Sequence, residues 1–260
     1  MKRFLGLLAT LLVATILADR PLLAVQRLLF PLQALLIGRI GPRDYAVRPL
    51  PPDLHAFLLE YMDAKRVSPA GGCLEFGDGS NNPPEDHIIF GATALVPLGW
   101  RQKSAIAMAM RPMMEEFCAC KLEAPQVHGI RVYLNGSSLV MHLDWPDTWV
   151  VSATINLRTV PSGETSGGGS SGEKTWPFAL RSGLEWLRGA NATNIYHEEG
   201  EALLYEGSRL WHGRPEPFQG EEYSAVFVGF APKHYPRDAA FCVRLIVPIV
   251  RAFKGVLFSG

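Results

Sequence analysis

The feature that most constrains the fold is a change of period at Gly129. Downstream, "TWVVSATINL" alternates, with Trp149, Val151, Ala153, Ile155 and Leu157 on one side and Ser152, Thr154 and Asn156 on the other. Side chains two apart in a strand share a face, so this period describes a strand in a sheet. "EALLYEG" and "EYSAVFVGF" read as further strands. Upstream, "PPDLHAFLLEYMDAKR" opens on a Pro-Pro-Asp helix-start signal and places Leu54, Phe57, Leu58 and Met62 at helical spacing. A second helix, rich in Ala and Met, is predicted over 102–116. Helices first, then a block of short strands, imply an α+β chain with a closed or sandwiched β core.

A chain of 260 residues is long enough to bury one substantial core. Lys plus Arg and Asp plus Glu both number 25, so the formal net charge is zero. Without a net positive field there is no electrostatic footprint for nucleic acid, and no nucleic-acid motif is present.

Three units are expected: 1–45, a domain over 46–235 and a tail over 236–260. The first, "MKRFLGLLATLLVATILADR" followed by "PLLAVQRLLFPLQALLIG", begins with basic residues and an apolar run shorter than the roughly 20 residues of a spanning helix. It reads as a secretory signal or signal-anchor followed by an amphipathic, membrane-proximal helix. The competing reading is a hydrophobic helix packed on the domain. The targeting reading implies the secretory pathway, in the endoplasmic reticulum lumen or anchored to its membrane. The tail is apolar with interspersed Arg and Lys, which suits a membrane surface or a docked last helix equally. Between the strands, "RTVPSGETSGGGSSGEK" is a Gly/Ser-rich insertion, and "GGCLEFGDGSNNPPEDH" is loop by composition.

Four Cys are compatible with a secretory compartment. Cys118 and Cys120 lie on a segment that reads helical, so free thiols are expected there. A zinc site is not, since no second Cys/His pair has ligand spacing. Of two glycosylation sequons, Asn191 lies in a polar stretch suited to modification and Asn135 does not.

The chemistry-bearing stretch is "YLNGSSLVMHLDWP", from Tyr133 to Pro146. On a strand His142 and Asp144 project together, while Leu139, Met141 and Leu143 project oppositely. One imidazole and one carboxylate on a face supply two of the three ligands of a facial triad for non-haem iron(II), whose remaining positions stay open to cosubstrate and O2. They are equally readable as polar residues on a wet sheet face. A third ligand must come from elsewhere, and His212, in "GEALLYEGSRLWHGRP", follows a predicted strand. Its competing role is a turn histidine bonded to backbone. "HEE" at His197 to Glu199 reads as a solvated loop.

Together, Tyr133-x-x-Gly136-x-x-Leu139-x-x-His142-x-Asp144, the "HGRP" segment and a Gly-bearing loop into a Phe/Val strand resemble the iron(II)/2-oxoglutarate dioxygenases. Nearest are the catalytic domains of prolyl 4-hydroxylase α-subunits. The resemblance covers roughly 127–232. It implies a double-stranded β-helix (jelly-roll) with N-terminal supporting helices, and iron(II) on His142, Asp144 and His212. It further implies 2-oxoglutarate contacting Tyr133, ascorbate as a reductant, and a prolyl residue of a protein or peptide as substrate.

One position departs from the family. Where prolyl 4-hydroxylases carry a Lys or Arg ten residues after the distal His, this chain has Glu222, which repels a carboxylate. Arg214 or Arg158 is therefore the expected partner of the cosubstrate's distal carboxylate. Trp145, Trp176 and Trp211 are candidates for an aromatic substrate wall. The alternatives are a β-helix binding protein that keeps metal but not 2-oxoglutarate, an oxygenase acting on a small molecule, and a membrane-associated structural protein.

Overall fold

The computed structural model describes residues 37–66, 88–146, 148–162, 175–233 and 235. The N-terminal apolar run, the 71–87 loop, most of the Gly/Ser-rich insertion and the C-terminal tail lie outside them. Among the described residues no helix is long and apolar enough to cross a membrane.

Two sheets carry the fold, every pairing in them antiparallel. In chain order the strands are β1 (Tyr45–Pro49), β2 (Ile89–Phe90), β3 (Thr93–Val96), β4 (Leu122–Leu134), β5 (Ser138–His142), β6 (Val151–Pro161), β7 (Phe178–Arg181), β8 (Thr193–Ile195), β9 (Glu201–Tyr205), β10 (Trp211–Arg214) and β11 (Gly220–Pro232). The larger sheet has the order β1-β9-β6-β11-β4-β3 and the smaller β2-β5-β10-β7-β8. From β4 onward the chain passes back and forth: β4, β6, β9 and β11 lie in the larger sheet, β5, β7, β8 and β10 in the smaller. That winding of one chain between two facing sheets is a double-stranded β-helix.

The helices α1 (Pro52–Arg66) and α2 (Trp100–Cys118) cover the outer face of the larger sheet, and a short α3 (Gly183–Leu187) follows β7. The covered face is where the predicted periodicities meet. Leu54, Leu58 and Met62 of α1 and Ile106, Met110 and Met114 of α2 pack with Val151, Ala153, Ile155 and Leu157 of β6 in one buried cluster. Each Leu, Ile, Val or Met among them contributes about 1.5–3 kcal/mol by leaving water. Phe57, expected with them, is exposed, because it falls off the stripe that Leu54 and Leu58 define.

The other side of β6 is not a wet face. Ser152, Thr154 and Asn156 are completely buried, pointing into the space between the sheets. Asn156 donates through Nδ2 to the carbonyl of His197, 3.2 Å away, and Ser152 donates to Asp144, which offsets the cost of burying them.

The expectation of free thiols is overturned: Cys118 and Cys120 form a disulfide, their Cα atoms 5.2 Å apart. The helix ends at Cys118, and Ala119, at φ 52°, turns the chain back through the left-handed region, bringing the two sulfurs together.

Candidate metal centre

β5 and β10 are adjacent in the smaller sheet, with His212 directly opposite His142 and the imidazole centroids 4.4 Å apart. The tight turn that starts β5 uses Gly136 at φ +80°, a conformation that favours glycine, which accounts for the Gly of the motif. A register shift between His212 and Arg214 has a consequence for β5. Leu139, expected on the side of Met141 and Leu143, packs instead with Tyr133 and Trp176 in the interior, while Leu143 and Met141 pack on Trp211.

Both rings are held in the same way. Nδ1 of His142 lies 2.7 Å from the carbonyl of Val140, and Nδ1 of His212 lies 2.7 Å from that of Leu210. A carbonyl only accepts, so each Nδ1 carries the proton and each Nε2 presents a lone pair. Those Nε2 atoms stand 3.7 and 3.5 Å from Oδ1 of Asp144. The three ligand atoms lie within 4.8 Å of one another. Phe178 stacks on His212 at 5.7 Å between centroids, and Tyr205 lies at 4.7 Å, so that ring is fixed on both sides.

Asp144 lies just past the end of β5. Its N–H bonds the carbonyl of Gly207 at 3.0 Å, and its Oδ2 accepts from the hydroxyl of Ser152 at 2.6 Å. A side chain at 207 would collide with both Oδ2 of Asp144 and Oγ of Ser152, so the chain needs glycine there. Burial opposes ionisation of Asp144, but the two histidines outweigh it and hold the carboxyl well below its usual range. Burial, first, and then the repulsion that a second protonated ring at His212 would exert push the His142 imidazole below its usual value, which favours the neutral form. The donor set is thus a carboxylate and two imidazoles with inward lone pairs, which is the chemistry a divalent first-row metal takes.

The candidate carboxylate partners separate clearly. Arg158 is committed elsewhere, its two terminal nitrogens each 2.8 Å from an oxygen of Asp63 on α1. Its expected role is therefore corrected: at the β6 edge the side chain turns to the helix-covered face. Glu222 is on the same side, accepting from the Ser224 hydroxyl at 2.7 Å and lying near Arg158. Register shifts in β11 on both sides of 222–224 place Tyr223 inside instead. Arg214 does point inside. It is 2% exposed, donating to the carbonyl of Trp176 and to the hydroxyl of Tyr223, with the rings of Trp176, Phe178 and Tyr223 4.5–5.3 Å from its guanidinium carbon. Among the described residues it has no carboxylate partner, and burial lowers its pKa. Tyr133, also inside, meets Trp176 edge-on at 5.3 Å.

Of the three tryptophans, Trp145 lines the cavity that contains the triad, Trp176 packs in the interior against Arg214, and Trp211 packs on Leu143. His197 is not in a solvated loop. It is 2% exposed, with Nε2 3.3 Å from the Tyr223 hydroxyl, and burial pushes its pKa well below the usual value. Ser152, Gly207, Tyr223 and His197 escape a reading by motif, because each reaches the site from a separate segment.

No family model matches the sequence, and no curated protein matches it. Solved structures do. A prolyl hydroxylase from Trichoplax adhaerens, in complex with a hypoxia inducible factor peptide fragment, matches with TM-score 0.50 and 11% identity over 83% of this chain and 94% of that one. Looser matches are a Pseudomonas putida prolyl-4-hydroxylase (TM-score 0.48, 15% identity, 77% and 99%) and HygX from Streptomyces hygroscopicus with nickel, 2-oxoglutarate and hygromycin B bound (0.46, 10%, 74% and 84%). By fold, then, this chain is a double-stranded β-helix similar to that of the Trichoplax adhaerens prolyl hydroxylase.

Proposed function

We propose that the chain is an iron(II)/2-oxoglutarate-dependent dioxygenase. One juxtaposition carries the reading: a His-Asp-His donor set and a buried guanidinium that has no carboxylate partner among the described residues share one interior. His212 and Arg214 are two residues apart on β10, about 7 Å along a strand, which is the scale of a five-carbon diacid chelating a metal at one end.

With iron(II), 2-oxoglutarate and O2 bound, such a site converts 2-oxoglutarate and O2 to succinate and CO2 and places one oxygen atom in a substrate C–H bond. The protein's contribution is positional and electrostatic. His142, Asp144 and His212 would hold the metal, which would supply the activation of O2. Ser152 fixes one oxygen of Asp144 so that the other lies toward the two imidazoles. Arg214 offers its remaining N–H donors, and Tyr133 its hydroxyl, to the distal carboxylate. The aromatic rings around Arg214 exclude water, strengthening that contact. Glu222 lies outside this interior, so the feature that suggested a site without cosubstrate is removed.

The substrate expected from the family resemblance is a prolyl residue of a protein or peptide, with ascorbate as reductant. The Cys118–Cys120 bridge supports the secretory compartment expected from the N-terminal sequence. Anaerobic titration of the chain with iron(II) and 2-oxoglutarate tests the reading through the visible charge-transfer band of the chelate. The band is expected in wild type and absent in His142→Ala. Wild-type protein that binds iron(II) without the band refutes the proposal.

A further inference from the structure

The hydrogen bond from Arg214 to the hydroxyl of Tyr223 on β11 does not end there. The Tyr223 oxygen lies 3.3 Å from Nε2 of His197, in the segment between β8 and β9. An oxygen that accepts from Arg214 turns its own proton toward Nε2, so Nε2 accepts and the single ring proton of His197 sits on Nδ1. Nδ1 is buried and has no hydrogen-bond partner among the described residues. The backbone of His197 is pinned from two other segments, its carbonyl accepting from Asn156 at 3.2 Å and from the Thr175 hydroxyl at 3.1 Å. Guanidinium, phenol and imidazole, each buried, thus form one line drawn from three segments. The line runs beside the cavity of the triad: the Tyr223 ring lies 6.3 Å from that of Tyr133, which lines the cavity.

Among the described residues Arg214 is the charged group that acts on His197, and it repels a second positive charge. Glu198 and Glu199, the chain neighbours of His197, are exposed, and Glu199 accepts from the N–H of Thr159. A carboxylate arriving at Arg214 reverses the balance, setting a negative charge against that repulsion. We propose that His197 senses an anion at Arg214 through Tyr223, taking up one proton from solvent as the anion binds. On the oxygenase reading, on which this inference rests, that anion is the distal carboxylate of 2-oxoglutarate. The proton adds to Nε2, the ring nitrogen that carries the lone pair. The imidazolium then donates to the Tyr223 oxygen, and the phenol proton turns to the carboxylate. Tyr223 gains a direct bond to the anion, and His197, which acts through it, is a positioning residue. Binding and protonation are linked. Affinity falls by up to tenfold per pH unit as pH rises from the His197 pKa of the free chain to that of the complex, and is flat above it.

The test titrates the full chain, loaded with Mn(II) under anaerobic conditions, with 2-oxoglutarate in two buffers of different ionisation enthalpy. The difference in heat counts the protons taken up. Bound metal keeps a proton off Nε2 of both ligand histidines, so the count reports other groups. Uptake should rise from none at about pH 8 toward one at about pH 6, where both carboxylates of 2-oxoglutarate are still ionised. His197→Gln keeps an acceptor for the phenol but cannot titrate, and should bind 2-oxoglutarate without uptake. Tyr223→Phe removes the link and should lower the uptake. Wild-type binding with no uptake across this range overturns the proposal without reliance on a variant. So does uptake that persists in His197→Gln or is unchanged in Tyr223→Phe. Failure of the oxygenase reading shows separately, as wild type that binds Mn(II) but no 2-oxoglutarate. In that case the His197 ring resonance of the metal-free chain, assigned by its loss in His197→Gln, is followed against pH by NMR with and without acetate. A midpoint raised by acetate sustains the proposal, and a midpoint that acetate leaves unmoved overturns it.

Discussion

Replacing Arg214 by Met separates a structural arginine from one that serves a ligand. Met fills comparable space and packs against Trp176, Phe178 and Tyr223 without a charge. The fold loses two hydrogen bonds, to the Trp176 carbonyl and the Tyr223 hydroxyl, each worth about 1.5–3 kcal/mol from a charged donor. It also sheds the desolvation penalty of a buried cation, several kcal/mol, which no carboxylate among the described residues offsets. The two nearly cancel, so stability should stay within about 2 kcal/mol of wild type. Cosubstrate binding has no such compensation. Deleting one side of a buried, hydrogen-bonded charge pair costs about 2–5 kcal/mol, or about 30-fold to several thousand-fold in affinity. Urea denaturation of the metal-free protein and calorimetry of 2-oxoglutarate on the Mn(II) form measure the two effects. A variant destabilised by more than about 4 kcal/mol that binds 2-oxoglutarate normally would show Arg214 to be a core residue only.

Further perturbations test other parts of the site. Ser152→Ala removes the hydrogen bond to Oδ2 of Asp144 and should weaken metal binding about 10- to 100-fold, read by competition with a chelating dye. Gly207→Ala forces a methyl group against Asp144 and Ser152, and the same dye assay should show a larger loss than Ser152→Ala gives. Arg158→Ala should leave 2-oxoglutarate affinity unchanged and alter stability by no more than about 1 kcal/mol, as for a partly exposed ion pair. His197 and His142 are depressed below the ordinary histidine value in the fold, so the unfolded chain binds their protons first. Metal-free stability should therefore be full above about pH 6.5 and fall as pH drops below it, by up to about 1.4 kcal/mol per pH unit for each group. His197→Gln should flatten that slope in urea titrations between about pH 7.5 and 5.

The parts legible in the sequence were those that local geometry controls. Alternation in β6 follows from the pleat, and the "HLD" spacing follows from two-residue periodicity at a strand end. The rest depended on events that counting cannot see. Ten residues from His212 leads to Glu222, but the register shifts in β11 turn Tyr223 inward and leave Glu222 beside Arg158. Asn156 and Thr175 both bond the carbonyl of His197, and these contacts from distant segments bury a loop that composition makes polar. The disulfide arises because the helix stops at Cys118, one left-handed residue before Cys120.

Glu206 shows how this fold stabilises a buried charge that has no ligand to meet. Its carboxylate is completely buried, yet it accepts from the N–H groups of Ile40 and Gly41, 3.1 and 2.9 Å away, and pairs with Arg209. Charge, donors and counter-charge all come from the chain, which is what burial of an ion requires. Arg214 is just as enclosed but is met by one carbonyl, one phenol hydroxyl and the faces of three rings. Those groups orient a cation without neutralising it. An interior that supplies a carboxylate at Glu206 and, among the described residues, none at Arg214 suits an anion brought from outside, and on the proposed reading the metal held in part by His212, two residues away on β10, would give that anion its second point of attachment. Arg214→Met combined with an added carboxylate probe sharpens the point: acetate should bind the wild-type interior weakly and the variant not at all, while Glu206→Gln, which removes one of the two carboxylates paired with Arg209 and leaves Asp44, should cost about 1.5–3 kcal/mol of stability and leave acetate binding intact.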